Sequence, residues 1–375
     1  MNIPLHDKDQ KPTIAILTVN DGTRIFRGDK SNFADIVKAG HEFGAEVYVI
    51  TADNVKLTEN RMFGFRYNPD RRSWVRDWMP APHVIYNRVP FRKMEMHPEV
   101  QQIIQACIRS NQVNLYNPSF FNKWSLFEWL NKSAHTRMYI PATEQLSTSF
   151  GLERLLRNYP VVYLKPVKGK AGRGIMRLER KIGKYNQPEY ELSVQSNKEI
   201  VYKVHYSIDS LWKDVDELRG AKEYIMQQGI TLTSYKGRAY DLRVLVQKNA
   251  LGVWSVTGIG ARVAGKLSIT THVPRGGSIE DPLKLLTYAF GQKEAASILK
   301  RTKRAAVVLA KQIEKSSGQQ LGEMSMDLGV DTSGRIWFFE ANSKPMKFDE
   351  PDIRKKSLER IIHYGVFLTK KARRR

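Results

Sequence analysis

Apolar runs of strand length and apolar positions at helical spacing alternate through the first third of the chain. Ile14-Ala15-Ile16-Leu17-Thr18-Val19 and Glu46-Val47-Tyr48-Val49-Ile50 read as buried strands on either side of a helical stretch from Asn32 to Phe43. Met62 to Tyr67 and Ser73 to Trp78 flank Asn68-Pro69-Asp70 and predict a hairpin. His83 to Tyr86 reads as another strand and Pro98 to Arg109 as another helix. The succession predicts an α/β domain over residues 1–116 on a small parallel sheet. No Gly-x-Gly-x-x-Gly follows its first strand, so dinucleotide binding has no support.

Asn117-Pro118-Ser119 breaks this pattern and opens a second section, expected over 117–228. Helices are predicted at Trp124 to Leu130, Phe150 to Asn158 and Ser207 to Leu218, the last capped by Ser207 or Asp209. Val161 to Leu164 and Tyr224 to Gln228 read as strands. The third section, 229–375, reads as mainly antiparallel. Asp241 to Gln247 and Trp254 to Val263 flank a turn at Asn249 to Gly252. A long amphipathic helix from Asp281 to Ser316, with a break at Gly291, precedes a hairpin from Met324 to Asn342. A basic helix from Asp352 to Lys371 closes the chain.

The chain's 375 residues suffice for two or three domains with cores. No apolar run reaches membrane-spanning length, and Met1 to Lys11 lacks the apolar core of a secretory signal. The single cysteine, Cys107, excludes an intrachain disulfide and fits a reducing, cytoplasmic compartment. Its apolar helical neighbours make it a buried thiol rather than a nucleophile. There are 61 Lys and Arg against 38 Asp and Glu, a formal charge of +23. That excess predicts an acidic partner, which charge alone does not identify. No RNA- or DNA-binding motif is present, so nucleic acid is not the expected one. The dense patch from Lys370 to Arg375 reads as a solvated terminus.

The hairpin changes the picture. With Ser333-Gly334 as a two-residue turn, Asp327 stands opposite Glu340, and Asn342 shares the face of Glu340. Opposed carboxylates repel, and a divalent cation turns that repulsion into attraction. Mg²⁺ favours one or two carboxylates together with phosphate oxygens. A surface Asp327 and a solvated Glu340 are the plainer alternative, which the apolar flanks Met326, Leu328, Phe338 and Phe339 make uncomfortable.

Lys165 to Gly174, containing Lys168 and Lys170, is a glycine-rich basic loop between strands that fits a lid over phosphates. An ordinary basic β-turn reads equally well. Lys123 starts a helix, and by itself it is a surface residue. Gln227-Gln228-Gly229-Ile230 ends a strand at a hinge whose backbone could meet an adenine edge, or is a plain strand end. Asp241 and Arg243 share a strand face. With the next turn centred on Ala250-Leu251, Arg262 opposes Ala239 and joins that face. The patch is either a structural ion pair or a pair of arginines for phosphate or carboxylate. Gly276-Gly277 is either a close-approach point for a ligand or a turn.

Taken in order, these segments resemble the ATP-grasp superfamily, most closely its spore-coat-associated YheC/YheD branch. The resemblance rests on Asn122-Lys123-Trp124, Leu164-Lys165-Pro166 with the loop to Gly174, and Gln227 to Ile230. It continues through Tyr240 to Val244, Ala261-Arg262-Val263, Gly276-Gly277, Asp327 and Glu340-Ala341-Asn342. It implies an α/β and α+β fold: an N-terminal α/β domain, a lid subdomain and a C-terminal antiparallel sheet with helices. It implies that Lys123, Lys165 and Lys170 contact ATP, that Gln227, Gln228, Gly229 and Ile230 frame adenine, and that Asp241 belongs to the nucleotide site. Asp327, Glu340 and Asn342 would hold Mg²⁺, and Arg243 and Arg262 would face the reacting phosphate and substrate. The implied reaction joins a carboxylate to an amine through an acyl-phosphate. An acidic peptide or polymer as substrate would reconcile this with the charge, and spore-coat proteins are the implied partners. Two positions depart from related ligases. Thr271-His272-Val273 lacks their asparagine before the glycine pair, and Gln228 replaces their glutamate. A coat-assembly protein with this fold but little catalysis, or a basic binder of acidic polymers, are the alternatives.

Overall fold

The computed structural model describes residues 11–20, 22, 25–168, 173–196, 199–265 and 277–372. Its first section contains β1 (Thr13–Thr18), α1 (Lys30–Glu42), β2 (Glu46–Thr51), β3 (Arg61–Asn68), β4 (Ser73–Pro80), β5 (Val84–Asn87), α2 (Arg92–Glu95), α3 (Pro98–Arg109) and β6 (Asn114–Tyr116). The strands form one sheet in the order β4-β3-β2-β1-β5-β6. Four of them are parallel, as expected, but the β3–β4 hairpin adds an antiparallel edge, making the sheet mixed. Cys107 is buried in this domain, and burial pushes its thiol up to about 12, which leaves it unreactive.

The middle section contains α4 (Lys123–Asn131), α5 (Ala134–Arg137), β7 (Thr143–Gln145), α6 (Ser149–Asn158), β8 (Val161–Pro166), β9 (Met176–Ile182), β10 (Pro188–Ser196), β11 (Glu199–His205), α7 (Ile208–Arg219) and β12 (Tyr224–Gln228). A second sheet runs β11-β10-β9-β8-β12-β7. Alternation along β8 buries Val162 and Leu164 beneath α6 and α7, so Tyr163 and Lys165 take the opposite face. Ser207 caps α7 by accepting the Ser210 N–H.

The last section contains β13 (Ser234–Tyr235), β14 (Arg238–Lys248), β15 (Trp254–Val263), β16 (Ser278–Glu280), α8 (Pro282–Ser317), β17 (Glu323–Val330), β18 (Ile336–Asn342) and α9 (Pro351–Ala372). The third sheet runs β16-β15-β14-β17-β18 with β13 beside β14. One face is wholly apolar: Leu242, Val244, Val246, Ala261, Met326 and Leu328 pack against Leu309 and Ile313 of α8. α8 kinks at Gly291, whose φ of 76° only glycine adopts freely.

Core membership crosses the sequence boundaries expected at 116 and 228. Phe127 and Leu130 of α4 lie in the third sheet's core, and Ile361, Ile362, Tyr364 and Leu368 of α9 lie in the first sheet's core. A buried polar knot also joins the first and third sheets. Glu323 accepts from Tyr86, from Arg88 at 3.2 Å and from Gln247 at 3.0 Å. Asn117 completes the junction. Its amide donates to the carbonyls of Glu323 and Ser343, and its oxygen accepts the Gly322 N–H at 2.7 Å. Among the described residues, no helix is long and apolar enough to cross a membrane.

Candidate functional site

The face of the third sheet opposite α8 carries charge. Because side chains alternate, Asp241 and Arg243 on β14 fall on this face, across from Gly329 and Asp327 on β17. On the other flank they face Arg262 and Gly260 of β15. Glu340 of β18 pairs with Asp327, and Asn342 pairs with Ser325.

The opposition of Asp327 to Glu340 is as expected but has a different cause, and the Arg262 register itself differs. The carboxylate hairpin does not turn on two residues. Asp331 N–H donates to the Arg335 carbonyl at 3.0 Å, Gly334 has φ of 80°, and Val330 faces Ile336. That is a three-residue loop with glycine in the left-handed position, stabilised by Asp331 Oδ1 accepting the Ser333 and Arg335 N–H groups. Carried down the ladder unchanged, it would set Asp327 against Phe339. A bulge between Asp327 and Leu328 absorbs Phe339 as an extra residue and restores the opposition of Asp327 to Glu340. Arg262 opposes Asp241, not Ala239. The turn gains a residue and centres on Leu251, half a residue later than expected, because Asn249 Oδ1 accepts the Leu251 and Val253 N–H groups; this moves each partner by one residue, and a second bulge at Leu245/Val246 adds another step. Two one-residue shifts leave the face unchanged.

Two acids opposed at about 5 Å repel by roughly 3 kcal/mol at an effective dielectric of about 20. Each is held by a cation. Arg262 reaches Asp327 Oδ2 at 2.6 Å and grips Asp241 with two hydrogen bonds of 3.0 and 2.9 Å. Burial pulls its proton affinity down, but Asp327 and Asp241 outweigh this and raise it, so the guanidinium stays charged. Lys123 reaches Glu340 Oε1 at 2.6 Å. It sits at the first turn of α4, where Asn122 caps the helix by accepting the Ser125 N–H. Arg243 lies 5.5 Å from the Phe348 ring centre.

The middle section supplies a third cation from β8. Lys165 Nζ donates to Gln227 Oε1 at 2.5 Å, and Gln227 donates to Thr143 Oγ1 at 2.9 Å. Burial, then the Lys123 charge, lowers the Lys165 ammonium to about 8 despite Glu340 and Asp327. Its Nζ is 5.4 Å from the ring centre of Phe339, the residue at the bulge. Phe339 was expected only as an apolar flank; bulges leave little trace in sequence, which hid it. Gly329 leaves it room, since a Cβ there would lie 2.5 Å from the ring. Gln228 accepts the Ala142 N–H, Gly229 donates to the Val161 carbonyl at 2.7 Å, and Ile230 follows in the link to the third sheet. Lys170, Gly276 and the Thr271 to Arg275 stretch lie outside the described residues.

Glu340 and Asn342 open onto a cleft of about 980 Å³ between the three sections. Two carboxylates and an amide oxygen on one face are hard oxygen donors, the set Mg²⁺ takes with phosphate, so these residues fit that ion.

A family model described as YheC/D-like ATP-grasp matches residues 112–368. The endospore coat-associated protein YheD of Bacillus subtilis (strain 168) is 28% identical over 96% of this chain and 80% of its own length. Among solved structures, the D-alanine-D-alanine ligase from Coxiella burnetii aligns with a TM-score of 0.55 at 13% identity, covering 97% of each chain. The ATP-grasp ligase PsnB, complexed with minimal precursor, Mg and ADP, aligns at 0.52 and 14% identity over 95% of this chain and 98% of that one.

Proposed function

The chain belongs to the YheC/D-like ATP-grasp family, and from that premise we propose that it is an ATP- and Mg²⁺-dependent ligase joining a carboxylate to an amine. The observation that carries this is the charged sheet face, where the opposed Asp327 and Glu340 each hold a cation and Lys165 approaches from β8. The Lys123–Glu340 pair is one that a metal-bound triphosphate would exchange: carboxylate to metal, ammonium to phosphate.

In this reading Lys123 and Lys165 meet the phosphates, Gln227 to Ile230 frame the adenine, and Asp327, Glu340 and Asn342 hold Mg²⁺. The ion's contribution is to neutralise charge on phosphate oxygens. Arg243 faces the transferring phosphate. Arg262, engaged by two acids, positions Asp327. A substrate carboxylate oxygen attacks the γ-phosphorus as the bond to the β,γ-bridging oxygen breaks and ADP leaves. The amine nitrogen then attacks the acyl carbon, the C–O bond to phosphate breaks, and inorganic phosphate and a proton are released. Positioning and charge neutralisation suffice, so no side-chain nucleophile is needed. The coat-associated relative supports a link to endospore coat formation. Calorimetric titration with ATP tests the nucleotide part: binding in Mg²⁺ and its loss in a chelator are expected, and indifference to Mg²⁺ would refute it.

A further inference from the structure

The 980 Å³ cleft beside Glu340 and Asn342 is lined by eight Lys and Arg against two acids. Its two acids are occupied. Asp29 caps α1 by accepting the Asn32 N–H, and Glu340 holds Lys123. Three of the cations are neutralised: Lys123 by Glu340, Arg88 by Glu323 and Lys344 by Glu95. Among the described residues, the other five have no carboxylate within ion-pair distance: Arg27, Lys30, Arg92, which Glu95 and Glu340 influence only from further off, Lys168 and Lys347. Arg92 donates to the carbonyls of Phe121 and Phe120, Lys347 to Ser31 Oγ at 3.4 Å, and Lys30 lies over the Phe26 ring. These five come from four separate places: the approach to α1 and its first residue, α2, the stretch just after β8, and the stretch after β18. They suit charges spaced along an extended ligand better than one compact anion.

We propose that this cleft binds a polycarboxylate, an Asp- or Glu-rich peptide segment, and presents one of its carboxylates beside Glu340 and Asn342. The inference rests on the ligase reading for the reacting group, which must be a carboxylate. It rests on the cleft alone for the rest of the chain. Cations converging with low-dielectric walls focus the field and select for negative charge. The overall charge of +23 is a different matter, because most of it lies elsewhere, as on the outer face of α8 at Lys300 and Lys303.

The test is fluorescence anisotropy with the full chain and labelled octaglutamate, octaglutamine and oligothymidylate, with Mg-ATP affinity measured on the same samples. Octaglutamate should bind, weaken with added salt, and lose about tenfold in affinity in R92A/K347A. K300A/K303A, removing the same charge from α8, should leave it unchanged. K347E, at an exposed position, replaces the double variant if that one fails to fold. Equal binding of octaglutamine, an equal loss in the α8 variant, or tighter oligothymidylate binding that depends on Arg92 and Lys347 would overturn the proposal. Loss of Mg-ATP binding in the unmodified protein would instead count against the ligase reading, leaving the peptide measurement to stand by itself.

Discussion

Asp327 faces Glu340 because Phe339 bulges out of the ladder between them and the turn. The acids therefore meet on a sheet face where Arg262 and Lys123 already hold them. Asp327→Asn and Glu340→Gln should each lower Mg²⁺-dependent ATP affinity by roughly tenfold or more. Thermal unfolding should barely shift, since Arg262 keeps its bidentate hold on Asp241 in the first variant. Calorimetry with and without Mg²⁺ reads the effect, and unchanged affinity in both variants would remove the metal assignment.

Gly329→Ala should disturb the same bulge from below. The new Cβ would sit 2.5 Å from the Phe339 ring and 2.7 Å from Leu232 Cδ2. Overpacking of this kind costs about 1–3 kcal/mol. Denaturant titration should show that loss, and adding Phe339→Ala should recover part of it. Full additivity of the two changes would argue against the contact.

Lys165 makes nucleotide binding pH-dependent with a definite sign. Its ammonium is lowered to about 8, first by burial and then by Lys123. A bound phosphate favours the charged form and raises that value. Between the two values the complex carries more proton than the free protein, so ATP affinity should fall as pH rises above 8. Titrations in buffers of different ionisation enthalpy should show proton uptake near pH 8.5, absent in Lys165→Met. Proton release would contradict the assignment.

Arg88→Met should loosen the first and third sheets from each other. The Arg88–Glu323 pair has side chains only 11% and 4% exposed. Removing one partner of such a pair costs about 3–5 kcal/mol, because the other charge is left buried. Chemical denaturation should show a loss of that size. A loss under 1 kcal/mol would mean that Tyr86 and Gln247 alone satisfy Glu323.

Element positions were legible because they follow from local pattern. α3 and β15 fall on their expected residues, and the helix break at Gly291 follows from the glycine itself. Register was legible only in parity. Both hairpins carry a bulge, and neither turn has the expected centre, since Asn249 and Asp331 accept several backbone N–H groups and lengthen the loops. The faces of Asp327 and Arg262 survive because one-residue errors in turn and ladder combine. Only the resemblance pointed to Lys123 and Lys165 as nucleotide contacts, which remain a proposal; nothing in their immediate sequence surroundings marks them out. The cleft cations left no local trace because Arg27, Arg92 and Lys347 come from distant segments and converge only in the fold.

Helix α9, the last element, supplies Ile361, Ile362, Tyr364 and Leu368 to the interior of the domain that begins the chain. During synthesis, β1 and its neighbours leave the ribosome hundreds of residues before that helix exists. Until then part of the first domain's apolar surface faces water, and α9 covers it on arrival. A nascent chain halted before residue 351 should display that surface to chaperones, which makes β1 and α9, far apart in sequence, one cooperative folding unit.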